Sequence, residues 1–474
     1  MTDELTDAPA RFRRPVATLA LLAFAQLIIA LDYNIVYVAL PEISDALGFS
    51  AHTLQWVVSA YAVAFGGFLL LGGRACDVAG PRRMFVLGLV LYAVSSLAGG
   101  LATGPGMLIA ARAVQGLGGA LLFPATLTLI STGFAAGRER NRAFAVWGTA
   151  GGSGMILGSL LGGVLTDAFG WTAVLLVNVP LAVLAALGAL PLIPRGNRRA
   201  GGRFDLPGAL SATGGITLVV FALVQGPESG WSAPAVLAPA ATGLILLSAF
   251  VVIERRSAEP LLPMRLLRDR DLRTGTAITF LYMGTFGALL YFLTLYFQDV
   301  HGYSALATGL AFLVPMAAIA AGSQIAGWFA TRHGMRTAVV ASLLVGATGT
   351  ITVGLCLSTT AGYLTLVPGL LVLGLGQGAG YTVMFGAATA GIGTRDQGIA
   401  SGMASTTQQI GGAVGLAVLV AVAGLGETAA TVEGLRAALF AAAAGILAAA
   451  VTALGFTPSL RQADPANSAA RVDP

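Results

Sequence analysis

VATLALLAFAQLIIALDYNIVYVALP, from Val16 to Pro41, decides the class of this chain. A helix that crosses a bilayer needs about 20 apolar residues. The run from Val16 to Leu40 supplies them with one charge inside, Asp32. Arg11, Arg13 and Arg14 precede it, as in a secretory signal. The run is too long for a signal's apolar core of roughly 7–15 residues, and no small-residue cleavage site follows. It is expected to stay as a first membrane span.

Outward from this segment the same pattern repeats. Only 10% of the 474 residues are charged and 56% are hydrophobic, against about 25% charged in soluble proteins. A soluble body so poor in charge could not cover its own surface. Composition thus excludes a soluble enzyme, a nucleic-acid-binding module and a secreted disulfide scaffold. Cys76 and Cys356 lie far apart, fit no ligand spacing and are expected as free thiols. Apolar runs fall near 16–40, 52–73, 84–103, 106–130, 141–165, 171–194, 206–225 and 233–254. Six more fall near 273–298, 305–330, 336–358, 361–388, 398–424 and 435–457.

The arginines test this reading. With the N-terminus inside, 24 of the 26 basic residues, all arginine, fall in inner segments. Arg436 is the one at the outer face, and Arg112 the one within a span. Outer loops carry Glu42, Asp45, Asp167, Glu228, Asp299, Glu427 and Glu433 instead. A wrong span count would scramble that alternation. The expected fold is an all-α polytopic membrane protein of fourteen transmembrane helices, with both termini cytoplasmic.

Three internal echoes refine the architecture. GGRACDVAGPRR (Gly72–Arg83) is echoed by AGWFATRHGMR (Ala326–Arg336), Leu108–Pro124 by Leu366–Met384, and Asn141–Leu165 by Gly398–Val422. Duplicated halves with a site between them are typical of secondary transporters. The expected division is a cytoplasmic tail at 1–15, a six-helix bundle at 16–194, an inserted helix pair with flanking loops at 195–272, a second six-helix bundle at 273–457 and a cytoplasmic tail at 458–474.

Asp32 is the acid deep in a span, and a charge there costs at least a few kcal/mol unless it faces a cavity or a partner. Burial disfavours the charged carboxyl, so such a group can take and release protons. A purely structural acid is the alternative. Arg112 lies at similar depth in the outer half, roughly 9 Å in against roughly 13 Å for Asp32. The two are expected to face one cavity and to influence each other; a static ion pair is the bland reading. Gly154, Gly158 and Gly162 recur every four residues, forming a smooth face for close helix contact, expected between the two halves. Asp77 with Arg82 and Arg83 suggests a lock in the loop Gly73–Arg83. His52, His301 and His333 read as interfacial residues. Polar and aromatic candidates for a substrate cavity are Asn34, Tyr37, Gln55, Trp56, Tyr61, Gln115, Trp147, Tyr291, Tyr296, Gln324, Tyr381, Gln408 and Gln409. Each alone is ordinary helix glue; together they suit bulky, amphipathic or cationic molecules. No phosphate-binding glycine loop, serine-nucleophile or metalloprotease pattern is complete, which disfavours an ATP-driven pump, an enzyme and a metal site.

At these residues the chain resembles the major facilitator superfamily, and within it the fourteen-helix drug:proton antiporters. LDYNIVYVALP (Leu31–Pro41) is similar to that group's first-helix motif, with Asn34 and Tyr37 where Thr and Asn are usual. LQWVVSAY (Leu54–Tyr61) matches its second helix, and RAVQGLGGA (Arg112–Ala120) its fourth. Gly73, Asp77, Gly80, Arg82 and Arg83 match the gating motif between the second and third helices, with departures at Val78 and Pro81. Gly154, Gly158, Ser159, Gly162 and Gly163 match the fifth-helix antiporter motif, except that Ser159 replaces its usual Pro. The resemblance implies proton coupling through Asp32 and Arg112, no cofactor beyond the proton gradient, and efflux of a small lipophilic or cationic drug. The all-arginine, Ala- and Gly-rich usage points to a bacterial cell membrane, nothing in the sequence demands more than a monomer, and no nucleic acid partner is expected. No acid lies between Ala305 and Trp328, which disfavours divalent cations as cargo. Ser159 keeps a proton-coupled importer of the same fold open. A non-transporting membrane protein is the remote third reading.

Overall fold

A computed structural model describes residues 12–135, 138–194, 205–257, 260, 268–389, 397–424 and 431–456. All regular structure among them is helical. The elements are α1 (Pro15–Leu47), α2 (Trp56–Ala79), α3 (Pro81–Gly100), α4 (Pro105–Gly133), α5 (Arg138–Phe169), α6 (Trp171–Leu192) and α7 (Leu206–Ser229). They continue as α8 (Pro234–Arg256), α9 (Arg270–Val300), α10 (Ala305–His333), α11 (Met335–Cys356), α12 (Tyr363–Thr389), α13 (Gln397–Val422) and α14 (Val432–Ala453). Among the described residues, thirteen helices are long and apolar enough to cross a membrane. The shorter apolar stretch Trp56–Leu69 belongs to α2. The expected tails lie mostly (1–11) or wholly (458–474) outside the described residues, as do 195–204 and 261–267 beside the inserted pair.

Local chemistry sets the ends. Proline stands in the first turn of α1, α3, α4, α7 and α8, where its missing N–H costs nothing. Ser304 and Thr431 accept the backbone N–H three residues on and so cap α10 and α14. Two expected boundaries are wrong. Pro41 does not end α1, which runs on to Leu47 and stops at Gly48 in the left-handed region (φ 69°). A single interior proline removes one backbone donor, which this long packed helix tolerates. Likewise Gly73–Ala79 is not loop but the last turns of α2; the chain breaks at Gly80, whose φ of 91° no helix can hold. Gly334, between α10 and α11, has nearly the same backbone geometry (φ 86°, ψ 154°), so the echoed segments share a turn.

Neighbour relations recur as well. α1 packs on α5, α2 on α4 and α3 on α4; α9 packs on α13, α10 on α12 and α11 on α12. The two sets meet through α2 with α13 and α5 with α10. α7 pairs with α8 and leans on α2 and α13, where Trp56, Val63, Val220 and Ala417 form a small core. The main core joins the sets at one end only: Leu31–Ile43 of α1 pack with Tyr291 and Phe292 of α9 and Phe312 of α10. At the opposite end of α1, the core of Leu22, Phe85, Ile130 and Ala185 draws on α1–α6 alone.

Candidate functional site: a carboxylate held by four donors

Asp32 sits in mid-α1 with no solvent exposure. A buried carboxylate is tolerable only if its lone pairs are satisfied, and four side chains from three helices supply the donors. Arg112 Nη1 of α4 donates to Oδ2 at 2.7 Å, and the Tyr92 hydroxyl of α3 donates to the same oxygen at 3.1 Å. Gln115 Nε2 of α4 reaches Oδ1 at 2.9 Å, and Asn178 Nδ2 of α6 reaches it at 2.7 Å. Arg112 and Gln115 share a side of α4 because they are three residues apart.

A second ring of contacts fixes these donors. Arg112, 2% exposed, also donates from Nε to the Val57 carbonyl and from Nη1 to Gln115 Oε1 at 2.7 Å. Its guanidinium lies 4.5 Å from the centre of the Tyr61 ring, a cation–π contact strengthened by desolvation. The Tyr61 and Tyr92 hydroxyls are 3.1 Å apart, and Gln115 Nε2 also donates to Ser96 Oγ. The expected meeting of Asp32 and Arg112 is thus a direct, enclosed ion pair rather than two groups facing an open cavity.

α5 braces the helix that carries Asp32. A Cβ added at Gly154, Gly158 or Gly162 would lie 2.7, 2.5 and 2.6 Å from the carbonyl oxygens of Leu27, Leu31 and Ile35. The every-fourth-residue glycine face therefore packs on α1 of its own set, not on the other set. The contact between sets falls on its flank: Gly309 abuts the Ser159 carbonyl, and Gly163 abuts the Ala305 carbonyl.

The other expected site residues scatter. Asn34 donates to the Met155 carbonyl, and Tyr37 reaches the Gly287 carbonyl of α9 at 3.4 Å. Gln55 is buried just before α2, and Trp56 lies against Phe221 of α7 rather than at a central cavity. Tyr291 is buried and Tyr296 donates to the Ser358 carbonyl near the α11 end. Trp147 donates to Thr126, and Gln409 is buried against Gly66. Tyr381 and Gln408 share a hydrogen bond and keep part of their surface free; Gln324 is exposed. In the gating motif, Arg82 caps α6 through the Leu190 carbonyl, Arg83 is exposed and Gly73 lies beside Pro124. The Asp77 and His52 side chains lie outside the described residues. His301 binds the Ser358 carbonyl and His333 stacks on Phe329, so each has a local structural partner.

Sequence reasoning missed Asn178 and Tyr92. Asn178 stands alone in the apolar run LLVNVPLAVL, so the test that found Asp32 could have found it. Tyr92 carries no such signal.

Comparison with known proteins agrees with this architecture. The family model described as Major Facilitator Superfamily matches residues 22–416. The cephamycin export protein of Amycolatopsis lactamdurans is 41% identical over 421 residues, 88% of this chain and 86% of that protein. The puromycin resistance protein of Streptomyces alboniger is 42% identical over 87% of this chain and 82% of its own length. The lincomycin resistance protein of Streptomyces lincolnensis is 32% identical, over 97% and 95%. Among solved structures, the human organic anion transporter aligns with a TM-score of 0.63 at 18% identity, covering 92% of this chain and 99% of that one. A peptide transporter aligns with a TM-score of 0.66 at 17% identity, over 92% and 93%. Such low identities speak for the fold alone; the family match and the bacterial relatives go further, and with the helix packing above they place the chain in the major facilitator superfamily.

Proposed function

We propose that the chain is a proton-driven exporter of bulky, amphipathic antibiotics or drugs, working by alternating access in the bacterial cell membrane. The observation that carries the proton coupling is the Asp32 carboxylate, fully enclosed yet saturated by donors from α3, α4 and α6. The direction and cargo rest on the relatives, named for cephamycin export and for puromycin and lincomycin resistance. Counting α2 gives fourteen spans with cytoplasmic ends, as the arginine distribution supports. The moving halves are then α1–α6 and α9–α14, with α7 and α8 inserted.

In that orientation the end of the molecule closed by α1, α9 and α10 is the outer one. The structure then corresponds to the inward-facing state, with Asp32 paired to Arg112. A proton from outside neutralises Asp32 in the opposite state. On return to the inner side, arriving substrate and the re-formed Arg112 contact expel it inward. The protein needs no chemistry beyond this exchange: the gradient is the energy source. It binds cargo as a single chain.

The test is transport in proteoliposomes with an imposed pH gradient and a panel of puromycin, lincomycin, a cephamycin and ethidium. Internal pH and solute are followed together. Movement of any of these against the proton flux supports export by exchange. Movement in the same direction as protons makes the protein a symporter, and no coupled movement removes transport of this class.

A further inference from the structure

All four lone-pair positions of the Asp32 carboxylate are filled by donors. A proton therefore cannot settle on Asp32 unless one donor withdraws or becomes an acceptor. The four donors are not equivalent in this respect. Arg112 has no acceptor to offer. Gln115 has a carboxamide oxygen, but it is held by Arg112 Nη1 at 2.7 Å; turning that amide would aim its N–H at the guanidinium. Tyr92 could accept only by turning its O–H away from Asp32 and toward the Tyr61 hydroxyl 3.1 Å off, so its switch would need Tyr61 to turn as well. Asn178 differs: its Oδ1 is buried and has no hydrogen-bond partner among the described residues. An unsatisfied buried carbonyl is costly, and this one sits on the same planar group as the N–H that holds Asp32 Oδ1.

We propose that Asn178 is the amide that follows the proton: it donates Nδ2–H to the Asp32 carboxylate and, when Oδ1 of Asp32 is protonated, turns over so that its own Oδ1 accepts the new O–H. The proton ends on Asp32 Oδ1; no bond within Asn178 is made or broken. The Nδ2–H···Oδ1 contact is exchanged for an O–H···Oδ1 contact, and the orphaned oxygen gains a partner in the protonated state. The Asp32 carboxyl then keeps a partner on each side in both protonation states through one half-turn of a side chain on α6. The inference rests on the proton-coupled reading above. Arg112, Tyr92, Tyr61 and Tyr33 are the other titratable groups around Asp32; α5, packed against α1, carries no titratable residue between Ala143 and Thr166.

The experiment is infrared difference spectroscopy of the full chain in lipid, titrated with pH, with and without ¹³C-carboxamide-labelled asparagine. Asp32→Leu identifies the carboxyl band of Asp32, and Asn178→Leu removes the amide. The expected result is an asparagine-sensitive C=O band that changes with the same midpoint as the Asp32 carboxyl band and is lost in Asn178→Leu. Asn178→Thr, whose hydroxyl both donates and accepts, is expected to keep the transport pH profile closer to wild type than Asn178→Leu does. An Asp32 band that titrates with no asparagine band beside it overturns this inference and leaves proton coupling intact. An absent Asp32 band overturns both. The wild-type isotope comparison decides the matter even if Asn178→Leu fails to fold.

Discussion

Asn34 and Ser159 meet at one atom: both donate to the carbonyl oxygen of Met155, at 3.0 and 3.4 Å. These are two positions where the chain departs from the motifs it otherwise matches. The coincidence has a physical meaning. A proline at 159 would strip the backbone donor from the carbonyl four residues earlier, which is Met155. Asn34 reaches that carbonyl from α1, so it can satisfy the oxygen whether or not α5 supplies a bond of its own. Ser159→Pro is therefore expected to be tolerated while Asn34 is present and damaging in Asn34→Ala. Melting temperatures of the two single variants and the double variant measure this. A coupling of roughly 0.5–3 kcal/mol is expected for residues sharing one partner; additive effects would remove the link.

The α1–α5 contact predicts a sharp contrast between two glycines. Gly158→Ala places a methyl 2.5 Å from the Leu31 carbonyl, backbone against backbone. Overpacking of this kind costs about 1–3 kcal/mol, so a clear fall in melting temperature and in transport is expected. At Gly152 a Cβ meets nothing within 4 Å. Gly152→Ala is expected to be neutral, or stabilising by up to about 1 kcal/mol through helix propensity. Thermal melts in one detergent, run side by side, check both.

Arg112 uses geometry that lysine lacks. Its guanidinium binds the Val57 carbonyl, Asp32 and Gln115 at once and lies over Tyr61. Arg112→Lys keeps the charge but not the fork. Each lost charged hydrogen bond is worth roughly 1.5–3 kcal/mol, so proton-driven transport should fall by about tenfold or more at normal expression. Initial rates in everted vesicles read this directly. Wild-type rates in Arg112→Lys would show that charge alone suffices.

Arg436, the exception to the charge alternation, is explained at its site. It donates to the Gly354 and Leu357 carbonyls at the end of α11, where a cation suits the helix dipole. Arg436→Ala is expected to lower stability by about 1–2 kcal/mol without changing the ratio of protons to solute. Chemical unfolding and coupled flux measurements separate the two effects.

Charge and hydropathy made the helices and the pair Asp32–Arg112 readable in the sequence, because a lone ion in an apolar run is rare and costly. Boundaries at Pro41 and Gly73 were misread because packing carries a helix past residues that break it in isolation. The glycine periodicity at 154, 158 and 162 showed a smooth face, but not which helix lies against it. That depends on the rotation of α5 about its axis, fixed by contacts from α1 and α10. The rotation of α4 likewise decides that Gln115 reaches Asp32. Asn178 stands out as a lone amide in an apolar run, but its partner shows only once α6 is docked on α1; Tyr92 enters from α3 with no signal in its own segment.

The most direct test of proton coupling through Asp32 is proton release on substrate binding. Purified protein in weakly buffered detergent receives a compound from the panel that it transports, and a pH indicator follows the solution. Wild type is predicted to release protons on binding, and Asp32→Asn to bind the same compound and release none. Equal release from Asp32→Asn would contradict the account and move the exchanged proton to another group.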